Sequence, residues 1–179
     1  AYPGSPPTAP YDTTGWTLAY QMGVEFDRIL EGFDGPFEAI DPAAEHPAGQ
    51  IFRLPDTEGF FLSHAVNDAF IAVNRLLKDG EIVHWLREPV NANGKTYPAG
   101  TTYIPAGADT AFRLAQLAAE LGLDFEATTS EPTANAFELD EVRVGLWDRY
   151  GGSESSGWTR FILENFEFPF EVVYPQLLD

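Results

Sequence analysis

Residues 59–86 read "GFFLSHAVNDAFIAVNRLLKDGEIVHWL", and the way this stretch folds decides the architecture around it. "GFFLSH" opens with an uninterrupted aromatic and aliphatic run, the pattern of a buried strand. "NDAFIAVNRLLKDG" follows with Asn67 or Asp68 as N-cap, Phe70, Val73 and Leu77 at helical spacing, and Gly80 as the stop. "EIVHWL" is then a second strand. A strand, one helix and another strand form a crossover, which predicts two parallel strands in one sheet.

The pattern recurs downstream. "TTYIPA" is a strand, and "DTAFRLAQLAAELG" is a helix with Phe112, Ala115, Ala119 and either Leu117 or Leu121 on one face, leading into "LDFEAT". Between the two units, Asn93-Gly94 in "NANGKTYPAG" marks a hairpin or loop excursion, because both residues tolerate positive φ. Residues 128–141 are polar and without period, which predicts a connection. "VRVGLW", a glycine- and serine-rich loop, a helix face of Trp158, Phe161, Ile162 and Phe166, and a strand from Phe170 to Val173 complete the chain. Upstream, "VEFDRIL" and "GPFEAI" predict two further strands, and Trp16, Ala19, Tyr20 and Gly23 a short helix. The expected fold class is α/β, a largely parallel sheet with helices on both faces in a flavodoxin-like or amidotransferase-like three-layer sandwich. Residues 1–10, with four prolines, form a linker, and residues 11–179 a single domain whose last part, 142–179, is a strand-helix-strand unit open to extension into a longer sheet.

Composition limits the functions open to such a domain. The 179 residues are 44% hydrophobic and 14% aromatic, enough for a substantial core. The net charge of -18, from 28 acidic and 10 basic residues, argues against nucleic acid, whose phosphates need a basic stripe. No apolar run is long enough to span a membrane. With no cysteine, disulfides, thiol catalysis and thiolate metal sites are excluded.

The loop "DRYGGSESSGWT" superficially offers two chemistries. Gly152 and Gly157 have the spacing of a phosphate-binding loop, but Trp158 stands where lysine is required, and Glu154 would repel the phosphate. Of the serines, Ser155 has only one of the two glycines that flank a nucleophile elbow, and capping of the following helix by Ser155 or Ser156 accounts for the hydroxyls. His46, His64 and His84 form no pair on a shared helix face, so no metal site and no catalytic residue is assigned. In an open parallel sheet, ligands bind beyond the C-terminal strand ends, so His64, Asn67, Asp68, Asp148 and Arg149 are the candidate ligand-binding residues, provided their strands are neighbours.

"PYDTTGWTLAYQMGV", "HAVNDAFIAVNRLLKDG", "TYPAGTTYIPA" and "RVGLWDRYGGSESSGWTRFILENFEFPFEVV" together resemble, in order, the region following the catalytic domain in large bacterial zinc carboxypeptidases of peptidase family M14. That region is similar to a class I glutamine amidotransferase-like α/β domain. The peptidases bind zinc through His-x-x-Glu and a distant histidine, whereas here His46, His64 and His84 precede Pro-Ala-Gly, Ala-Val-Asn and Trp-Leu-Arg. The amidotransferase nucleophile is a cysteine, and there is none. The resemblance therefore implies a non-catalytic accessory domain in a periplasmic or secreted hydrolase, with zinc confined to the parent's catalytic domain and no cofactor in this chain. Its partner would be the remainder of the parent polypeptide, and a sheet cut short would leave an edge open to homodimer formation. Two rival readings stay open: a stand-alone module binding a sugar, peptide or other small molecule, and a hydrolase using Ser155 or His64 with Asp68.

Overall fold

The computed structural model describes residues 19, 22–39, 46–132 and 136–177. They fall into two units, Ala1–Ala43 and Ala44–Asp179. The proline-rich residues 1–10 and most of the helix expected from Asp12 onward lie outside the described residues.

In the first unit, residues 24–39 contain no strand, correcting the two expected there. The apolar positions exist, but a strand needs a neighbouring ladder to satisfy its backbone, and none is present among the described residues of this unit. Phe33 and Phe37 meet edge to face, with centroids 5.3 Å apart.

The second unit runs β1 (Ile51–Phe52), β2 (Gly59–Leu62), α1 (Ala69–Lys78), β3 (His84–Leu86), β4 (Val90–Ala92), β5 (Lys95–Tyr97), β6 (Thr102–Pro105), α2 (Thr110–Leu121), β7 (Phe125–Thr128), β8 (Ala136–Glu138), β9 (Val144–Trp147), α3 (Glu154–Asn165), β10 (Phe170–Val173) and a 3-10 turn, Pro175–Leu177. Six strands form one sheet in the order β1-β7-β2-β6-β3-β8. Only β1–β7 is a parallel pair, while β7–β2, β2–β6, β6–β3 and β3–β8 are antiparallel.

The expected largely parallel, three-layer sandwich is thus wrong. Both β-α-β crossovers exist, β2-α1-β3 and β6-α2-β7, but each receives a strand of the other between its own two strands. Strands related by a crossover point the same way without touching, and those that touch run antiparallel. Order β7-β2-β6-β3 with this connectivity is the split β-α-β, or ferredoxin-like, arrangement. Segment 136–138, expected to be part of a connection, pairs with β3 as β8.

Both helices cover the same sheet face. Phe60, Leu62, Ile104, Phe125 and Ala127 point toward Ala69, Ala72, Val73 and Leu76 of α1 and Leu114, Leu117 and Ala118 of α2. On α2, of the expected face of Phe112, Ala115, Ala119 and either Leu117 or Leu121, only Leu117 is buried, and Phe112 is 65% exposed. Two helical stripes compete in this segment, and the branched Leu114 and Leu117 fill the interior. At its C-terminus Gly122, at φ 65°, supplies the left-handed cap.

The opposite face buries Phe61, Leu86, Tyr97 and Tyr103. The β4–β5 hairpin, turning at Asn93 and Gly94 with φ 54° and 75°, supplies its cover. Tyr97 lies on Phe61 with ring centroids 4.1 Å apart, and Asn93 Nδ2 donates to Ala127 O at 2.7 Å. Lys95 and Glu126 pair at 2.5 Å, but with side chains 50% and 33% exposed the pair contributes only about 0.2–1 kcal/mol. The aromatic contact and the amide bond hold the hairpin down.

Strands β9 and β10 form a separate parallel pair joined by α3. This unit is fastened to α1: Asn74 Nδ2 donates to Phe166 O at 2.8 Å, Arg75 forms two hydrogen bonds with the Glu167 carboxylate, and Phe70 faces Phe168. The hydrogen bonds from Arg75 hold the Glu167 carboxyl below the usual carboxylate range.

Leu114 is fully buried between the helices and the sheet. Leu114→Ala is expected to lower stability by about 2–5 kcal/mol, read as a lower urea midpoint with an unchanged slope.

Candidate functional site

The residues nominated from the sequence fall in two places. His64 lies just past the end of β2, exposed, with its ring against Gly100, where an added Cβ would come within 3.3 Å of the imidazole. Asn67 is exposed in the turn that follows, and Asp68 is the N-cap of α1 without a side-chain capping bond. Asp148 and Arg149 follow β9. There the Asp148 carboxylate accepts the Arg149 N–H at 2.8 Å, and Arg149 Nε donates to Gly152 O at 3.2 Å. Because β2 and β9 belong to different sheets, the strand adjacency on which a shared crevice depended is absent. The structure groups His64, Asn67 and Asp68 on one connection and Asp148 and Arg149 on another.

The glycine- and serine-rich loop is a βα connection. Gly151 and Gly152, with φ 91° and 76°, turn the chain, and the N-cap is Ser153 rather than Ser155 or Ser156. Ser153 Oγ accepts the Ser156 N–H at 3.1 Å and donates to Ser156 Oγ at 2.9 Å, while Ser156 Oγ donates back to Ser153 O at 3.1 Å. These two hydroxyls are engaged in starting a helix.

A different cluster emerges on the sheet face opposite the helices. His84 and Tyr103 are directly opposed on β3 and β6, so their side chains share that face, with ring centroids 6.0 Å apart. Glu138 opposes His84 from β8. Beyond the edge of the hairpin's cover, His84, Tyr103, Glu131, Pro132 and Ala136 line a cavity of about 150 Å³. The Nδ1 atom of His84 is buried without a hydrogen-bond partner among the described residues. Tyr103 is 2% exposed, and its hydroxyl donates to Glu58 O at 3.2 Å. Burial, reinforced by the negative charges of Glu131 and Glu58, pushes its phenol up to about 12.

The strand pattern of "EIVHWL" places His84 on a strand, but its neighbours follow from cross-strand register, which is a tertiary property. Among the described residues no group of three or more histidine and acidic side chains is arranged to hold a metal, and no helix is long and apolar enough to cross a membrane. No protein-family model, no curated protein and no solved structure matches the chain.

Two outcomes follow from these bonds. Ser153→Ala should cost about 1 kcal/mol by leaving the first turn of α3 uncapped, measured as a loss of helical signal on mild heating. The raised phenol of Tyr103 gives stability that is intact below its ordinary value of 10.0 and lost as pH rises through about 12. Denaturation midpoints should therefore fall across that alkaline window, and less steeply in Tyr103→Phe.

Proposed function

We propose that the chain is a non-catalytic accessory domain that docks, through its β9-α3-β10 unit, against the catalytic domain of a zinc carboxypeptidase of the M14 type. One observation carries this reading. The unit is a two-stranded parallel sheet with a single helix, and its large apolar side chains face outward: Trp147, Trp158, Phe161 and Ile162 are each more than half exposed. Parallel strands are ordinarily covered on both faces, and a two-stranded sheet is not stable by itself. An aromatic surface of this kind fits a protein interface, where tryptophan and phenylalanine anchor binding.

The choice of partner is supported by the resemblance of residues 10–24, 64–80, 96–106 and 143–173 to the region that follows such catalytic domains. The engagement of Ser153 and Ser156 in capping agrees with a structural role for the loop.

The reading makes two demands. The parent gene should encode His-x-x-Glu and a later histidine upstream of Ala1. In that complete polypeptide, replacing Trp158 and Phe161 with aspartate should separate the thermal unfolding of the two parts, which melt together in the unaltered protein. Saturable peptide or ester hydrolysis by the 179-residue chain alone, or an unchanged single transition in the double variant, would sink it.

A further inference from the structure

We propose that Asn93 is a deamidation site controlled by the seating of the β4–β5 hairpin: the seated hairpin protects the side-chain amide, and conversion to aspartate or isoaspartate prevents the hairpin from seating again. Asn93 is followed by Gly94, and no other asparagine in the sequence precedes a glycine. Glycine has no side chain to shield its N–H, so an Asn-Gly pair closes readily to a succinimide. The Gly94 nitrogen attacks Asn93 Cγ and releases its proton, the Cγ–Nδ2 bond breaks, and the departing nitrogen takes up a proton and leaves as ammonia. Water then opens the ring at either carbonyl, giving aspartate or isoaspartate.

The hydrogen bonds of the amide hold this reaction back. Asn93 Nδ2 donates to Ala127 O at 2.7 Å and to Tyr97 Oη at 3.0 Å. A backbone carbonyl only accepts, which fixes the nitrogen as the atom that faces Ala127. Both partners are interior groups, Ala127 being 2% and Tyr97 5% exposed. The amide is thus clamped to β7 and to the ring that packs on Phe61, and Cγ turns toward the Gly94 nitrogen once these bonds open. The reaction therefore proceeds from a locally lifted hairpin.

The product cannot restore what the amide did. A carboxylate at position 93 has no hydrogen to give to Ala127 O, and the one proton of the Tyr97 hydroxyl already goes to Glu126 Oε2 at 2.9 Å. Lys95, the cation of this cluster, is paired with Glu126 and would be shared between two carboxylates. Isoaspartate also inserts a methylene into the backbone of a turn whose φ values of 54° and 75° set the register from Val90↔Tyr97 to Ala92↔Lys95. Either product loosens Tyr97 from Phe61.

The experiment holds the 179-residue chain in mildly alkaline buffer, with and without guanidinium chloride, and follows the Asn93 peptide by mass spectrometry and by isoaspartate assay. Conversion at Asn93 is expected to be about tenfold or more slower in the folded chain. Tyr97→Phe keeps the ring on Phe61 and removes one acceptor, and should speed conversion in the folded chain about threefold. Asn93→Asp should lose the NMR contact between the Tyr97 and Phe61 rings while the amide signals of α1 and α2 persist, and the unaltered chain converted in guanidinium and then refolded should show the same loss. Equal rates in the folded and unfolded chain, or an unchanged folded rate in Tyr97→Phe, would overturn the protection. An intact contact between the two rings after conversion would overturn the block to reseating. None of these results bears on docking through α3.

Discussion

The whole of the larger unit is organised by the need to cover strand β2 on both sides. All four of its residues are buried, with Phe60 and Leu62 directed to one face and Phe61 to the other. A strand alternates its side chains, so one layer of helices satisfies only half of it. The two helices supply the first cover, and the β4–β5 hairpin, inserted between the crossovers, supplies the second. Gly59 at the start of the strand belongs to the same arrangement, since a Cβ there would collide with the Tyr103 ring. Tyr103 can therefore lie flat across the strand and reach Glu58 O.

Arg75 extends this order beyond the sheet. It sits in the last turn of α1, where a cation is favoured by the helix dipole, and its guanidinium engages Glu120 of α2 as well as Glu167 before β10. These pairs are partly exposed and individually modest. Their value is geometric, because one side chain fixes how α1, α2 and the turn into β10 meet. Asn74, the residue before Arg75, and Phe70, about one turn before Asn74, add a hydrogen bond and an aromatic contact to that junction.

Much of the element content was legible because it depends on local pattern. The run at 59–62, the helices after Asp68 and Asp109, and the Asn93-Gly94 turn are all where their residues place them. The pairing was not legible. A strand covered on both faces carries the same unbroken apolar run whether its neighbours run parallel or antiparallel, and a crossover fixes only the direction of the strands it joins. Interleaving two crossovers leaves no mark on either one. The error passed to the site: His64 and Asp148 were joined by a rule for strand ends in an open parallel sheet, and that sheet does not exist here. His84 and Tyr103 come from separate strands, and only register brings them together.

The large sheet ends in very short strands, β1 with two residues and β8 with three. An outer strand is where backbone donors and acceptors face solvent and invite another chain to add on, and recruitment of that kind needs a run of consecutive groups. Ends this brief offer few, and with a net charge of -18 any two copies also repel. The fold thereby guards its main sheet against fibrous growth by giving it almost no rim on which to grow.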